Sequence, residues 1–318
     1  MLGSRVRKEP SFGRIGLVGD GSGAPGGTPP IRVVSPSVTT RARVRDIWAY
    51  RETIVGLVRK EIKVKYKGSF LGFLWSTLNP AMYLGIYYVV FQIVLKNGIP
   101  DFALFLLTGL LVWNVFQTAI PTATTAVVAN SSIVKKVSFP REILAISAVG
   151  ASLVFFVFQA VVLLVALAAF RFAPHWEFVP LVPFALLDLV VFSIALAVFF
   201  SAVNVYLRDT QHLMELVLVA WFWATPVCYP YQEVALHLGR FFWVYLLNPI
   251  TTVVLVFQRA FYPRVSYHVG PTLVRMLPVR GPLWYLVPLG GILVVSVLLL
   301  LGALKVFGRL EGNFAEEL

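Results

Sequence analysis

The sequence is poor in the residues that do chemistry. In 318 residues it has one cysteine, four histidines and 15 acids. Cys228 alone can form neither an intrachain disulfide nor a cysteine-based zinc site, and it leaves the redox compartment unread. His175, His212, His237 and His268 show no H-E-x-x-H or other ligand spacing, so no metal site is expected. The G-x-x-x-x-G-K-[ST] phosphate loop is missing, which excludes ATP hydrolysis by this chain alone. Gly21 to Gly26 formally fit G-x-G-x-x-G, but no strand precedes them and Pro25 lies inside them, so the match is accidental. No continuous apolar core occupies the first thirty residues, so a cleavable signal peptide is not expected. Asp188 lies in an apolar run with only Glu215 as a second acid in such runs, too few for a proton relay; a structural role is the favoured reading.

Apolar length is abundant instead. Hydrophobic residues make up 58% and charged residues 13%, against roughly a quarter charged in soluble proteins, and the mean hydropathy is +0.80. The chain reads as an all-α polytopic membrane protein. Its net charge of +12 could suggest nucleic acid, but the cations gather in the N-terminal region and short loops, where they orient a membrane protein and touch anionic lipid; no nucleic-acid partner is expected. Six spans follow from apolar length: about 69–95, 102–128, 143–170, 178–207, 213–229 and 283–306. With six, the N-terminal region, Lys135, Lys136, Arg141, Arg208, Lys305 and Arg309 share one side, which the positive-inside rule makes cytoplasmic, with both termini.

Residues 1–45, rich in Gly, Pro and Ser, read as a disordered cytoplasmic tail. Residues 46–68 read as an amphipathic interface helix: Ile47, Tyr50, Ile54, Val58 and Ile62 mark an apolar face, and Arg59, Lys63 and Lys67 a cationic one. A period-two alternation over 62–67 competes weakly for a strand. Residues 69–306 form the membrane domain, with 307–318 a cytoplasmic tail. Only Gly68 and Gly72 separate the interface helix from the first span, so a push on one should tilt the other. Within the external region 230–282, residues 241–262 are apolar enough for a seventh span, but Pro249 breaks the ladder. A re-entrant pair of half-helices broken near Asn248 and Pro249 is expected, at the price of leaving Arg240, Arg259, Arg264, Arg275 and Arg280 outside.

Aromatic residues, 14% of the chain, fall at helical spacing with amides beside them: Trp75, Asn79, Tyr83 and Tyr87; Trp113, Phe116 and Gln117; Trp221, Phe222 and Tyr229. Such rings can line a sugar corridor by stacking on the CH faces of pyranoses, or can simply anchor spans at the membrane interfaces. The segment 130–143, NSSIVKKVSFPREI, is short and cationic, either a docking element or an ordinary loop.

The runs LVRKEIKVKYKGSFLGFLWSTLNP (57–80), VKKVSFPREI (134–143), NVYLRDTQHL (204–213), LLNPITTVV (246–254) and GNFAEEL (312–318) together resemble the ABC-2 type permeases that export lipid-linked polysaccharides. In overall texture the chain is most similar to galactan-precursor exporters of actinobacteria. Where a proline often follows the Phe-Pro-Arg-Glu step, this chain has Ala145.

The resemblance implies a homodimer in the bacterial inner membrane, joined to two ATPase subunits that carry ATP and magnesium; this chain itself holds no cofactor. It also implies ATPase-coupling roles for Arg51, Glu52, Lys135, Lys136, Phe139, Pro140, Arg141, Arg208 and Asp209, with 130–141 as the coupling loop. Asn248 and Pro249 fall in the external gate. On that reading Arg59, Lys60, Lys63 and Lys67 are placed to meet a polyprenyl diphosphate. A permease for drugs or small lipids is the alternative. A membrane-embedded polyprenyl-phosphate glycosyltransferase would need an acid cluster where only isolated acids such as Glu142 stand, and a membrane scaffold is a further option.

Overall fold

The computed structural model describes residues 40–69, 75–96, 98–241, 245–269 and 272–318. The tail expected before residue 40 lies outside these, as does Gly72.

Helix α1 (Thr40–Ala49) begins within the stretch read as tail, and meets α2 (Arg51–Tyr66) at Tyr50. The expected single interface helix is thus two. On α2, Ile54, Leu57, Val58 and Ile62 are half-buried while Arg51, Arg59 and Lys63 are exposed, the two faces the spacing predicts. The helix continues through the 62–67 alternation to Tyr66, so the strand signal is overruled. It lies close against α6 (Glu142–Ala169): a Cβ on Gly150 would sit 2.8 Å from Val58 Cγ2. Tyr66 meets Phe155 edge-on with ring centroids 6.0 Å apart, and Lys65 Nζ stands 4.5 Å over the same ring.

The run-on from interface helix into first span is not continuous. Lys67 is extended, and Gly68 has φ +77, a left-handed conformation that glycine adopts without a Cβ clash. Beyond the undescribed residues, α3 (Trp75–Tyr87) passes into a π-helical turn, Tyr88–Val94.

Four helices among the described residues are long and apolar enough to cross a membrane: α4 (Phe102–Ala129), α6, α7 (Val182–Tyr206, entered through a 3-10 turn at Val179–Leu181) and α11 (Pro282–Leu310). At about 1.5 Å per residue each exceeds the roughly 30 Å of hydrocarbon. The other expected spans are not helices of that length among the described residues. Helix α8 (Thr210–Trp223) has 14 residues, only about 21 Å, because the chain turns at Thr225 and Pro226 instead of continuing to 229.

Helix α4 is the central post, buried on most sides between α6, α7 and α10 (Pro249–Phe261). Two apolar clusters fill the bundle. One is aromatic, around Phe105, Trp113, Phe116, Phe257, Tyr262 and Tyr285; the other is alanine-rich, around Ala119, Ala123, Leu144, Ala202 and Phe307. Small residues in the second cluster let the helices approach closely.

The two ends differ in charge and build. At the basic end lie α1, α2, the four-residue α5 (Ser131–Val134), the α7–α8 turn and α12 (Phe314–Glu317). At the other end α9 (Tyr231–Leu238) and an antiparallel hairpin, β1 (Ser266–Val269) with β2 (Thr272–Arg275), cover the bundle. The hairpin departs from the all-helical expectation. Tyr267 and its cross-strand partner Val274 pack on the aromatic cluster and carry its apolar face, and the Met276 N–H donates to Val265 O at 2.8 Å to close it. Arg264 pairs with Asp101 at 2.7 Å at this end. Of residues 241–262, expected to form half-helices broken near Asn248 and Pro249, the described ones place Tyr245 and Leu246 in helix, interrupt it at Leu247 and Asn248, and resume it as the buried α10 from Pro249; residues 242–244 are not described.

Candidate functional site

Three helices contribute one face each to an aromatic groove. On α4, Leu110, Trp113, Asn114 and Gln117 recur at three, one and three residues, a single helical stripe. On α8, Leu218, Val219, Phe222 and Trp223, at steps of one, three and one, form a second stripe, and Tyr83 and Tyr87 of α3 close the third side. Together they line a cleft of about 90 Å³. Tyr87 stacks on Phe222 at 5.5 Å and 18°, and Trp113 meets Phe222 edge-on at 5.4 Å. Asn114 Nδ2 donates to Gln159 Oε1 at 3.1 Å, which orients its amide at the rim. Tyr83, Gln117, Val219 and Trp223 are exposed, so one side of the groove is open. It presents ring faces and amides with no ionised group among its lining residues, a surface suited to neutral polar rings.

The candidate corridor residues therefore divide. Tyr83, Tyr87, Trp113, Gln117 and Phe222 come together in the groove. Phe116 is fully buried beneath it, stacked on Phe192 at 5.8 Å and edge-on to Trp221 at 5.1 Å, as core. Trp221 turns its Nε1 to Asn248 instead. Trp75 is half exposed at the start of α3, away from the lining, and the Asn79 side chain lies outside the described residues.

Asn248 and Pro249 begin α10. Proline suits a first helical turn, whose N–H groups lack intrahelical acceptors, and Asn248 caps it by accepting from Ile250 N at 3.1 Å. The same amide accepts from Trp221 Nε1 at 2.9 Å and donates to Ala224 O at 3.1 Å and Thr225 Oγ1 at 3.0 Å. Gln258, one face further along α10, donates to Pro226 O at 2.9 Å. The start of the loop after α8, Ala224 to Pro226, is thus held by Asn248 and Gln258. Gly109 of α4 lies under it, where a Cβ would be 3.1 Å from Val227 O and 3.2 Å from Gln258 Nε2.

At the basic end the candidate coupling residues also divide. Arg51, Glu52, Lys135, Lys136, Arg208 and Asp209 are exposed, on the first turn of α2, the loop after α5 and the turn before α8. Phe139 and Pro140 are half-buried, with Phe139 against the alanine-rich cluster. Arg141 faces inward: its Nη1 donates to Glu311 O at 2.8 Å and its guanidinium carbon lies 5.8 Å over the Phe314 ring. The proposed diphosphate cations Arg59, Lys60, Lys63 and Lys67 are all exposed, and Lys60 Nζ also donates to Asn130 Oδ1 at 2.6 Å, joining α2 to the candidate coupling segment. Lys65, absent from the sequence-based set, is held below the usual lysine range by burial.

Two residues that sequence reasoning passed over sit beside these. Arg43 fell in the presumed tail, and Glu311 in the terminal run; both are drawn into ion pairs with partners about a hundred residues or more away, for which no local signal exists. Asp188, in α7, is 1% exposed with neither carboxyl oxygen hydrogen-bonded to a described residue.

Residues 52–262 match the family model described as ABC-2 type transporter. The chain is 34% identical over 275 residues to an O-antigen export system permease protein, RfbA, of Myxococcus xanthus, covering 86% of this chain and 98% of that one. It is 30% identical over 210 residues to RfbA of Klebsiella pneumoniae, across 66% of this chain and 80% of the relative. A polysialic acid transport protein, KpsM, of Escherichia coli is 24% identical over 215 residues. The matched span takes in α2, the coupling segment, the groove and α10 alike, and on this ground the chain belongs to the ABC-2 type transporter family as a transport permease.

Proposed function

We propose that this chain is the membrane half of an ATP-driven exporter that carries a polyprenyl-diphosphate-linked polysaccharide, O-antigen-like or galactan, from the cytoplasmic to the outer side of the inner membrane. The observation that carries this reading is the one-sided groove of Tyr83, Tyr87, Trp113, Phe222 and Trp223 with the Asn114 and Gln117 amides. A glycan cannot cross hydrocarbon, and ring faces hold sugars by weak stacking that permits sliding. A second copy presenting the same groove closes a corridor while the prenyl chain stays in lipid. The names of the relatives, O-antigen and polysialic acid transport, support the same class of cargo.

Two separate ATPase subunits, carrying ATP and magnesium, dock at the exposed Lys135, Lys136, Arg208 and Asp209 and at Arg51 and Glu52 on α2. Arg59, Lys63 and Lys67 meet the substrate diphosphate at the cytoplasmic surface, where low dielectric nearby strengthens the attraction. The six-span arrangement, with α3, α8 and α10 completing the membrane domain and Asn248 setting the outer gate, belongs to this proposal.

Depletion of the protein tests it. A lipid-linked glycan should accumulate on the cytoplasmic face, and its sugar analysis identifies the cargo. An unchanged glycan pool with new sensitivity to lipophilic compounds would instead assign the chain to drug or small-lipid export.

A further inference from the structure

The buried charges at the basic end form one closed cluster. Arg43 of α1 donates Nη1 to Glu142 Oε1, at the start of α6, and Nη2 to Glu311 Oε2 at 2.9 Å, just past the end of α11. Arg141 donates to the Glu311 carbonyl at 2.8 Å, and its Nε lies 3.8 Å from Glu311 Oε1. The Arg43 and Glu142 side chains are 10% and 1% exposed. Two cations balance two carboxylates. Burial works against the Arg43 charge, but the Glu142 and Glu311 carboxylates outweigh it and hold the guanidinium above its ordinary range.

The surrounding packing fits the guanidinium closely. Gly308, one turn before Glu311, lies against it: a Cβ there would be 2.8 Å from Arg43 Cζ and Nη2. Phe314 is fully buried against Phe307 at 5.4 Å and Tyr206 at 6.1 Å, and Tyr206 Oη donates to Leu310 O at 2.7 Å. Helix α1, the end of the coupling segment, the foot of α7 and the foot of α11 thus meet at one point. A buried ion pair contributes little stability beyond what a well-packed apolar pair would, whereas its directional bonds allow one arrangement of the groups that make it.

We propose that Arg43 is a positioning residue for transport, clasping α1, the coupling segment at Arg141 and Glu142, and the 308–314 segment into one rigid unit. A displacement of the coupling segment is then delivered at once to the interface helices and to α11. This rests on the reading of 130–141 as the site where the ATPase docks.

The test uses the whole complex with its ATPase in proteoliposomes. Arg43→Met with Glu142→Met removes one cation and one anion and leaves Arg141 and Glu311 balanced. The ATPase should still co-purify and hydrolyse ATP, while glycan moved per ATP falls between about twofold and thirtyfold. Spin labels at Trp48 and Gly312, both exposed, should show a broadened distance distribution in the double variant. An unchanged glycan-to-ATP ratio overturns the proposal. If the double variant fails to assemble, Gly308→Ala keeps all four charges and crowds the guanidinium; the same fall in the ratio supports the clasp and an unchanged ratio overturns it. Lys135→Glu with Lys136→Glu is the separate arm: intact, coupled binding of the ATPase there defeats the docking reading, whatever Arg43 does.

Discussion

The indole of Trp221 donates to the side-chain oxygen of Asn248 at 2.9 Å, joining α8 to the start of α10 across 27 residues of sequence. The bond links the helix that carries one wall of the groove to a helix that follows in the chain only after α9. Asn248 uses its full amide on four partners, so it is both cap and tether.

Replacing Asn248 by alanine removes the cap and the tether together. A capping loss alone costs about 0.5–2 kcal/mol. Trp221→Phe removes a single bond and should cost about 1 kcal/mol. Thermal unfolding in nanodiscs should rank Asn248→Ala below Trp221→Phe, and the double variant should be no worse than the first, because the two share the bond. Additive losses would show that the residues act apart.

Gly109 and Gly85 make opposite predictions for the same kind of change. Gly109 has Val227 and Gln258 within 3.2 Å of any Cβ, so Gly109→Val should cost about 1–3 kcal/mol by overpacking and displace the loop after α8. Gly85, within α3, has open space, and Gly85→Ala should stabilise its helix by about 0.5–1 kcal/mol. Melting temperatures of the two variants check both signs.

Tyr83 and Phe116 separate surface from core. Tyr83 is 41% exposed at the groove, so Tyr83→Ala should lower glycan transport with little change in melting temperature. Tyr83→Phe, which keeps the ring face, should restore transport. Phe116 is 0% exposed, so Phe116→Ala should destabilise by about 3–5 kcal/mol. Transport unaffected by Tyr83→Ala would remove the stacking role.

The four cations of α2 should not behave alike. Lys60→Gln breaks the bond to Asn130, and Asn130→Ala breaks it together with the Asn130 Nδ2 bond to Ala126 O, so each should weaken ATPase coupling and the pair should be no worse than Asn130→Ala alone. Arg59→Gln with Lys63→Gln should leave coupling intact and lower the apparent affinity for lipid-linked substrate, the loss shrinking at high salt as screening removes the attraction. Identical phenotypes for both sets would merge the two roles.

Much of this was legible in the residues. The apolar runs at 102–128, 143–170, 178–207 and 283–306 correspond to α4, α6, α7 and α11, because a run that long with at most one charge has no other stable form in a bilayer. The faces of α2 followed from the spacing of Ile54, Val58, Arg59 and Ile62. Helical spacing also put Trp113 and Gln117 on one stripe. It could not tell Phe116 from Trp113, neighbouring aromatics on one helix: both are covered, and only the packing of α3 and α8 puts Trp113 in the groove floor and Phe116 against Phe192. The end of α8 was missed because Thr225 and Pro226 sit in a run whose hydropathy continues to Tyr229, and the hairpin because its strands are four residues each and only the first, Ser266–Val269, alternates.

By itself, then, the sequence determined that the chain is a helical membrane protein with a basic end, a two-faced helix at that end and no ATP site of its own. These properties are local: they depend on apolar length, period and the presence or absence of short motifs. Tertiary structure decided which aromatics share a groove, that Asn248 ties α8 to α10, and that Arg43 reaches Glu142 and Glu311. Those relations join residues from 27 to 268 positions apart. Each depends on how whole helices pack, a cooperative outcome that no window of sequence contains.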